Sequence, residues 1–192
     1  MANFLFQFPV SHYCEKVRWA LDYKGLTYKK VHLVPGLHIA RITRIANASS
    51  VPVLEHNGDI IQGSSQILDY LDARYPHKPL MPADRDLANR VRGWENRLDS
   101  IAGPAVRTFL YHFLLPQRSV IVPLLTAKQT PPVRWLFHLI YSNVSRRMRS
   151  MMKINQATAH QAMDDLDRIL SELRQIYANQ RFLVGEDRKS VV

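Results

Sequence analysis

The stretch "SHYCEKVRWAL", residues 11–21, decides the fold, because it opens a helix directly after a short apolar run. Val17, Ala20, Leu21 and Lys24 recur at helical spacing from about Tyr13 to Tyr23, and Gly25 is the residue type that ends such a helix. The run before it, "NFLFQF", alternates weakly, is rich in Phe and reads as a buried strand that stops at Pro9. Redox proteins set two cysteines in a C-x-x-C arrangement at the start of such a helix. Here the outer position is Ser11, and the inner one, Cys14, is the only cysteine of the chain.

Further along, "TYKKVHL" has the polar–apolar mixture of a second strand. "PGLHIARITRIANAS" reads as a turn and a short helix with Leu37, Ile42 and Ile45 facing inward. "VPVLEHNGDIIQG" holds two strands around Asn57-Gly58, a dipeptide that favours a two-residue hairpin because both residues tolerate positive φ. "SSQILDYLDARY" opens at Ser64 as a helix with Ile67, Leu68 and Leu71 on one side. The order β-α-β-α-β-β-α is a thioredoxin-like arrangement.

Beyond residue 76 the pattern changes. "PHKPLMPADRD" carries three prolines in seven residues and reads as a linker, residues 77–86. Residues 87–192 have a helical pattern only. A long helix runs from Leu87 to about Leu115, bent near Gly103-Pro104. A second runs from Pro131 to about Met152, and a third from Gln156 to about Tyr177. Ala162, Met163, Leu166, Ile169, Leu170, Leu173, Ile176 and Tyr177 make the third helix's core-facing stripe. Asp164, Asp165, Asp167, Arg168 and Glu172 lie off it, toward water. The fold class is α/β plus all-α, with a thioredoxin-like domain over residues 1–76 and a helical bundle after the linker.

The composition agrees. At 192 residues and 46% hydrophobic, the chain can bury a core. A single cysteine excludes an intramolecular disulfide and favours a reducing, cytoplasmic setting. No run reaches the roughly 18–20 apolar residues of a membrane span. "MANFLFQFPV" carries neither a basic leader nor a cleavage-like site, so no signal peptide is expected. The formal charge is +10, and from Lys128 to Lys153 there are six basic residues and no acidic one. This segment reads as a solvated basic face, since no zinc-ligand cluster, phosphate-binding glycine loop or aromatic RNA-binding motif accompanies it. No metal site and no nucleic-acid partner are expected.

The two-part arrangement resembles the cytosolic glutathione transferases, and specific stretches carry the likeness. "SHYCEKVRWALDYKGLTY" is similar to the family's S-x-[YF]-C-x-[KR]-V-R-x-A-L first-helix pattern. "SSVPVLEHNG" resembles its V-P-x-L segment and "GSSQIL" its [ED]-S-x-x-I motif. The flavour is that of bacterial members, and it implies glutathione as co-substrate, a small apolar electrophile as second substrate, and a homodimer. "RFLVGEDRKSVV" is similar to the approach to the family's last buried helix, which a residue at the place of Ser190 caps. The expectation is truncation before that helix.

The resemblance also implies roles. Val51-Pro52 is expected to be cis, turning Val51's N–H and C=O toward the tripeptide's cysteinyl backbone; an ordinary trans-Pro at a strand entrance is the alternative. Ser64 at a helix start suits the γ-glutamyl carboxylate and equally reads as a plain cap. Gly63 departs from the Glu, Asp or Gln often found there, whose side chain helps hold the γ-glutamyl amino group. Gln62 is expected to point to the other face of its strand. His38 and Arg41 are candidates for the glycyl carboxylate. Arg107, Tyr111 and His112 are candidates for the electrophile pocket between the domains.

Ser11 is the candidate catalytic residue. A free thiol has a pKa of about 8.5, and lowering it by two units takes about 2.7 kcal/mol of preference for the anion. A hydrogen bond to a charged group contributes roughly 1.5–3 kcal/mol, and a helix N-terminus about 0.3–1. One hydroxyl at the first turn suffices in magnitude; simple helix capping is the other reading. Tyr13 also offers a hydroxyl, although the aromatic in this motif usually packs. Cys14 offers a thiol, although buried structural cysteines are usually inert. The function so read is a glutathione transferase. Two alternatives remain open: a non-catalytic ligand- or partner-binding protein on the same scaffold, and a glutathione-dependent reductase using Cys14.

Overall fold

The computed structural model describes residues 3–185. Strand β1 (Phe4–Gln7) leads into helix α1 (His12–Tyr23), then β2 (Lys29–His32), the single-turn α2 (Ile39–Ile42), β3 (Val53–His56), β4 (Asp59–Gln62) and α3 (Ser64–Arg74). The sheet order is β2-β1-β3-β4. β1 runs parallel to β2 and antiparallel to β3, with Phe6 opposite Val53, and β3 pairs antiparallel with β4, with Val53 opposite Gln62. This is the expected thioredoxin-like order. Asn57 and Gly58 take positive φ in the β3–β4 turn, and Gly25 does so after α1.

Successive residues of a strand serve opposite faces, so β1 feeds two cores. On one face Phe6 joins Leu33, Ile42 and Val53, with Phe4, Phe8, Val31, Ile45 and Val51 packed around them. The buried apolar residues of α1 (Val17, Ala20, Leu21) and of α3 (Ile67, Leu68, Leu71) supply the other core, and those two helices pack together. Leu37, expected inward, is exposed, because the helix it precedes is only one turn long and begins after it. Lys24, the last residue of the α1 stripe, buries its stem and ammonium. Nζ reaches Asp72 at 2.7 Å and the carbonyls of Tyr75 and Lys78 at 3.0 and 2.7 Å. The start of the Pro-rich linker is thereby tied to α1.

A polar network not read from the sequence joins the hairpin to α3. His56 is 1% exposed. Tyr70 donates its hydroxyl proton to Asp59 (2.8 Å), so it accepts from His56 Nδ1–H (2.9 Å), and Tyr75 donates to Nε2 (2.9 Å). The neutral Nδ1–H tautomer satisfies both ring nitrogens. Burial first, and then the charge of Arg74, hold the imidazole below its ordinary pKa, partly offset by Asp59.

The remaining helices are α4 (Arg85–Arg97), α5 (Gly103–Leu114), α6 (Arg118–Leu125), α7 (Pro131–Met151) and α8 (Gln156–Asn179). The expected bend of the long helix is a π-helical turn at Leu98–Ala102, one step before Gly103-Pro104. α6 was not expected, because Pro123 lies inside it; its apolar residues Ile121, Val122 and Leu125 are buried nonetheless. Residues 119–144 cluster with residues 1–79 as one compact unit, and residues 80–118 with 145 onward as a second. The division therefore differs from a boundary at the linker. Within the first unit Gln129 donates to the His32 carbonyl at 2.9 Å, and Val144 Cγ2 lies 3.0 Å from where a Cβ on Gly36 would stand. Lys128, Arg134, Arg146, Arg147 and Lys153 are exposed, as a solvated basic face requires.

The second unit corrects the reading of α8. It is capped by Asn155 in a capping box with Thr158, and it packs on α5. Only Ala159, Ala162 and Ile169 are buried. Met163, Leu170 and Tyr177 are about half exposed. The apolar positions span more than one side, and the helix finds a packing partner among the described residues on one side only. Arg97, stacked on Trp94 at 4.7 Å, grips Glu172 with two hydrogen bonds of 2.7 and 2.6 Å. Ser190 and the last-helix motif lie outside the described residues.

Two outcomes are expected. Ile169→Ala, at a site 4% exposed, costs about 2–5 kcal/mol, whereas Leu170→Ala, at 49% exposure, costs well under that; denaturant unfolding of the chain measures both. Because the folded His56 pKa is depressed, its stabilising contribution is complete above the unfolded pKa of about 6.5 and declines as pH falls below it, by at most ~1.4 kcal/mol per pH unit. His56→Gln should shallow that acid-side slope without removing it, since burial depresses His32 and His38 as well.

Candidate functional site

Strand register gathers the predicted segments at one end of the sheet. The C-terminal end of β1 lies beside the start of β3 and the end of β4, and runs alongside the end of parallel β2. The loop into α1 (Ser11), the loop after β2 (His38), the entrance to β3 (Val51, Pro52) and the start of α3 (Gly63, Ser64) therefore all emerge there. Two bonds show the proximity: Gly63 N–H donates to the Pro52 carbonyl at 3.0 Å, and the His38 ring meets Phe8 edge-on at 4.8 Å.

Ser11 is the N-cap of α1, and its Oγ accepts from the Cys14 N–H at 3.4 Å. The capping reading holds, and the cap bond uses a lone pair of the hydroxyl oxygen. Cys14 itself is 0% exposed. Burial pushes its thiol up from the ordinary value, with the Ser11 hydroxyl pulling part of the way back. Such a thiol is poorly placed to act as a nucleophile. Tyr13 stacks with His12 at 4.1 Å between ring centroids.

The Val51–Pro52 bond is cis, as expected. No hydrogen bond of the described residues uses Val51's backbone N–H or C=O. The loop before it is held by Gln62, whose side chain turns away from the start of α3, as expected. Its Nε2 donates to the carbonyls of Ala48 and Ser50, both at 2.8 Å, and its Oε1 accepts from Ala48 N–H at 3.1 Å. Sequence reading discounted Gln62 for ligand binding and missed this clamp, because the partners are backbone atoms of a loop with no pattern of its own.

α3 starts without a side-chain cap and without an acid in its first turn. Ser64 is 7% exposed, and its hydroxyl has no partner among the described residues. Lys16, mostly buried on α1, brings its ammonium to 3.5 Å from Ser65 Oγ, adding positive charge to that turn. Gly63 sits at φ 99°, a conformation that favours glycine.

His38 is half-buried with Nδ1 unpaired. Burial lowers its pKa, against the pull of the Val34 and Ser49 backbone. Arg41 is exposed and lies over Phe6 at 5.3 Å. In the second unit Arg107, Tyr111 and His112 share α5; Arg107 Nε is buried without a partner, and the His112 ring meets Phe113 at 5.0 Å. A cavity of about 350 Å³ in that unit is lined by Arg90, Trp94, Glu172 and Ile176 among others, and by none of the predicted residues.

The sheet is thioredoxin-like, is followed by helices, and carries a hydroxyl at Ser11 where redox proteins set the outer cysteine of a C-x-x-C pair. Residues 5–79 match the N-terminal domain of glutathione S-transferases. Glutathione S-transferase 1 of Dianthus caryophyllus is 37% identical over 83 residues, 42% of this chain and 38% of that relative. The chain thus matches well under two thirds of that relative's length. Among solved structures, the β-etherase LigF of Sphingobium sp. strain SYK-6 superposes with a TM-score of 0.75 at 20% identity, covering 100% of this chain and 79% of that one. A glutathione S-transferase from Methylobacterium radiotolerans JCM 2831, solved with glutathione sulfonate, gives 0.68 at 23% identity, covering 97% and 72%. Residues 5–79 are therefore similar to the N-terminal domain of glutathione S-transferases, and the chain shares the fold of these solved structures.

Gln62→Ala should loosen residues 48–50 without unfolding the sheet. Amide exchange at Ala48 is expected to speed up by roughly 2–10-fold, in line with ~0.5–1.5 kcal/mol net per hydrogen bond, while the β3 amides keep their protection.

Proposed function

We propose that this chain binds glutathione at the sheet end described above and holds its sulfur as a thiolate on Ser11 for attack on a small apolar electrophile. The observation that carries the reading is the Ser11 hydroxyl at the start of α1, whose oxygen accepts from the Cys14 N–H at 3.4 Å. The hydroxyl would donate its proton in a hydrogen bond to the thiolate, with the N-terminus of α1 adding its partial positive charge. Val51's unpaired backbone would take up the cysteinyl N–H and C=O as an added strand does. Ser64 and the N–H groups of α3 would receive the γ-glutamyl carboxylate. His38 and Arg41 are assigned to the glycyl end, with Arg41 supplying a permanent positive charge. Arg107, Tyr111 and His112 are assigned to the electrophile, and the working form is a cytoplasmic homodimer.

The burial of Cys14 weighs against reductase chemistry on that residue. A binding protein without turnover shares every step of the reading except the last.

Ser11→Ala removes one hydrogen bond to the anion, worth roughly 1.5–3 kcal/mol. The pKa of bound glutathione should therefore rise by about 1–2 units, and turnover of a chromogenic aryl halide near neutral pH should fall by about 10-fold or more. Ultraviolet titration of the bound thiol and steady-state assays read the two effects. An unchanged thiol pKa would remove Ser11 from its role.

A further inference from the structure

We propose that the outer face of α7 docks on the surface of an anionic phospholipid bilayer. Trp135, Leu136 and Leu139 enter the interface, and the basic residues before and after them meet the headgroups. This does not depend on the glutathione reading.

α7 has an inner and an outer side. Phe137 and Tyr141, both buried and with ring centroids 5.9 Å apart, face the protein, and Val144 lies over Gly36. Trp135, Leu136 and Leu139 leave from the other side, at positions i, i+1 and i+4 of the helix. They are 67%, 43% and 58% exposed. A single Leu in water needs no explanation, but large apolar side chains grouped on one exposed face mark an interaction site. α6, in the same compact unit, leaves Val120 and Leu124 exposed one turn apart.

Charge decides which partner fits. Lys128 and Arg134 come before the apolar group, and Arg146 and Arg147 extend its side of the helix seven and eight residues beyond Leu139; all four are exposed. No acidic residue occurs in the sequence between Asp99 and Asp164. Such a face suits a partner that offers negative charge and hydrocarbon together. An anionic bilayer does so: the indole sits at headgroup level, the leucines reach the acyl boundary, and Arg and Lys stay with the phosphates. A nucleic acid would leave Leu136 and Leu139 without a use. The exposed apolar residues of α8 make the contrast. Met163 and Leu170 stand among exposed Asp164 and Asp167, which an anionic surface repels. No helix of the described residues is long and apolar enough to cross a membrane, so the attachment is to the surface.

Co-sedimentation of the full chain with phosphatidylcholine vesicles, with and without phosphatidylserine, tests this. The protein should bind the phosphatidylserine vesicles about 10-fold more tightly or better, and added salt should weaken that binding. Trp135→Ser should weaken it by about 10-fold or more, and Arg146→Gln and Arg147→Gln by about 5-fold each. Trp19→Ser is the control: Trp19 is 59% exposed, but its Nε1–H is bonded to Glu15 at 2.8 Å, so its loss should leave vesicle binding unchanged. Equal thermal midpoints show that the variants stay folded. Absence of binding to phosphatidylserine vesicles overturns the assignment. So does binding that Trp135→Ser leaves unchanged, a result that would give the basic face to polyanions such as nucleic acid instead.

Discussion

The antiparallel register of β1 and β3 is the constraint on which the site depends. With Phe6 opposite Val53, the chain that leaves β1 and the chain that enters β3 share one end of the sheet, and the β3–β4 hairpin returns α3 to that same end. A one-residue slip would turn Phe6 and Val53 away from the core they share with Leu33 and Ile42. Hydrophobic burial therefore specifies the register, and the register in turn brings Ser11, Val51 and Ser64 to one place. None of these three residues needs to attract the others.

Polar side chains then refine what the core has set. Gln62 holds residues 48–50 through backbone groups, Lys24 anchors the linker through two carbonyls, and His56 joins the hairpin to α3 through two tyrosines. In each case a buried or half-buried side chain satisfies main-chain or hydroxyl groups that the sheet and helices leave over.

Much of the first unit was legible. Its elements are short and bounded by Pro9, Gly25, Asn57-Gly58 and Pro76, residues with a local backbone meaning. The motifs at Ser11, Pro52 and Ser64 read correctly as a helix start, a cis bond and a second helix start. What was not legible depends on tertiary partners. Pro123 hid α6, since propensity opposes what the packing of Ile121 and Leu125 enforces. The α8 pattern does not say which of its apolar positions meet a neighbour, so Leu170 read like Ile169 although only the latter is covered. The placement of residues 119–144 with the first unit had no local signal at all.

The exchange of a thiol for a hydroxyl at position 11 alters the chemistry without altering the scaffold. A surface thiol at a helix start, paired with Cys14, would be lowered in pKa and would react covalently. A serine hydroxyl ionises far outside the physiological range and stays a donor. The same helix start then offers a hydrogen-bond donor and a partial positive charge in place of a nucleophile. Cys14 remains where the fold needs a small apolar group, fully buried with its thiol pushed toward the neutral form. Its backbone N–H is meanwhile the group that fixes the Ser11 oxygen. Position 11 thus carries an oriented hydroxyl, and the Cys14 peptide orients it.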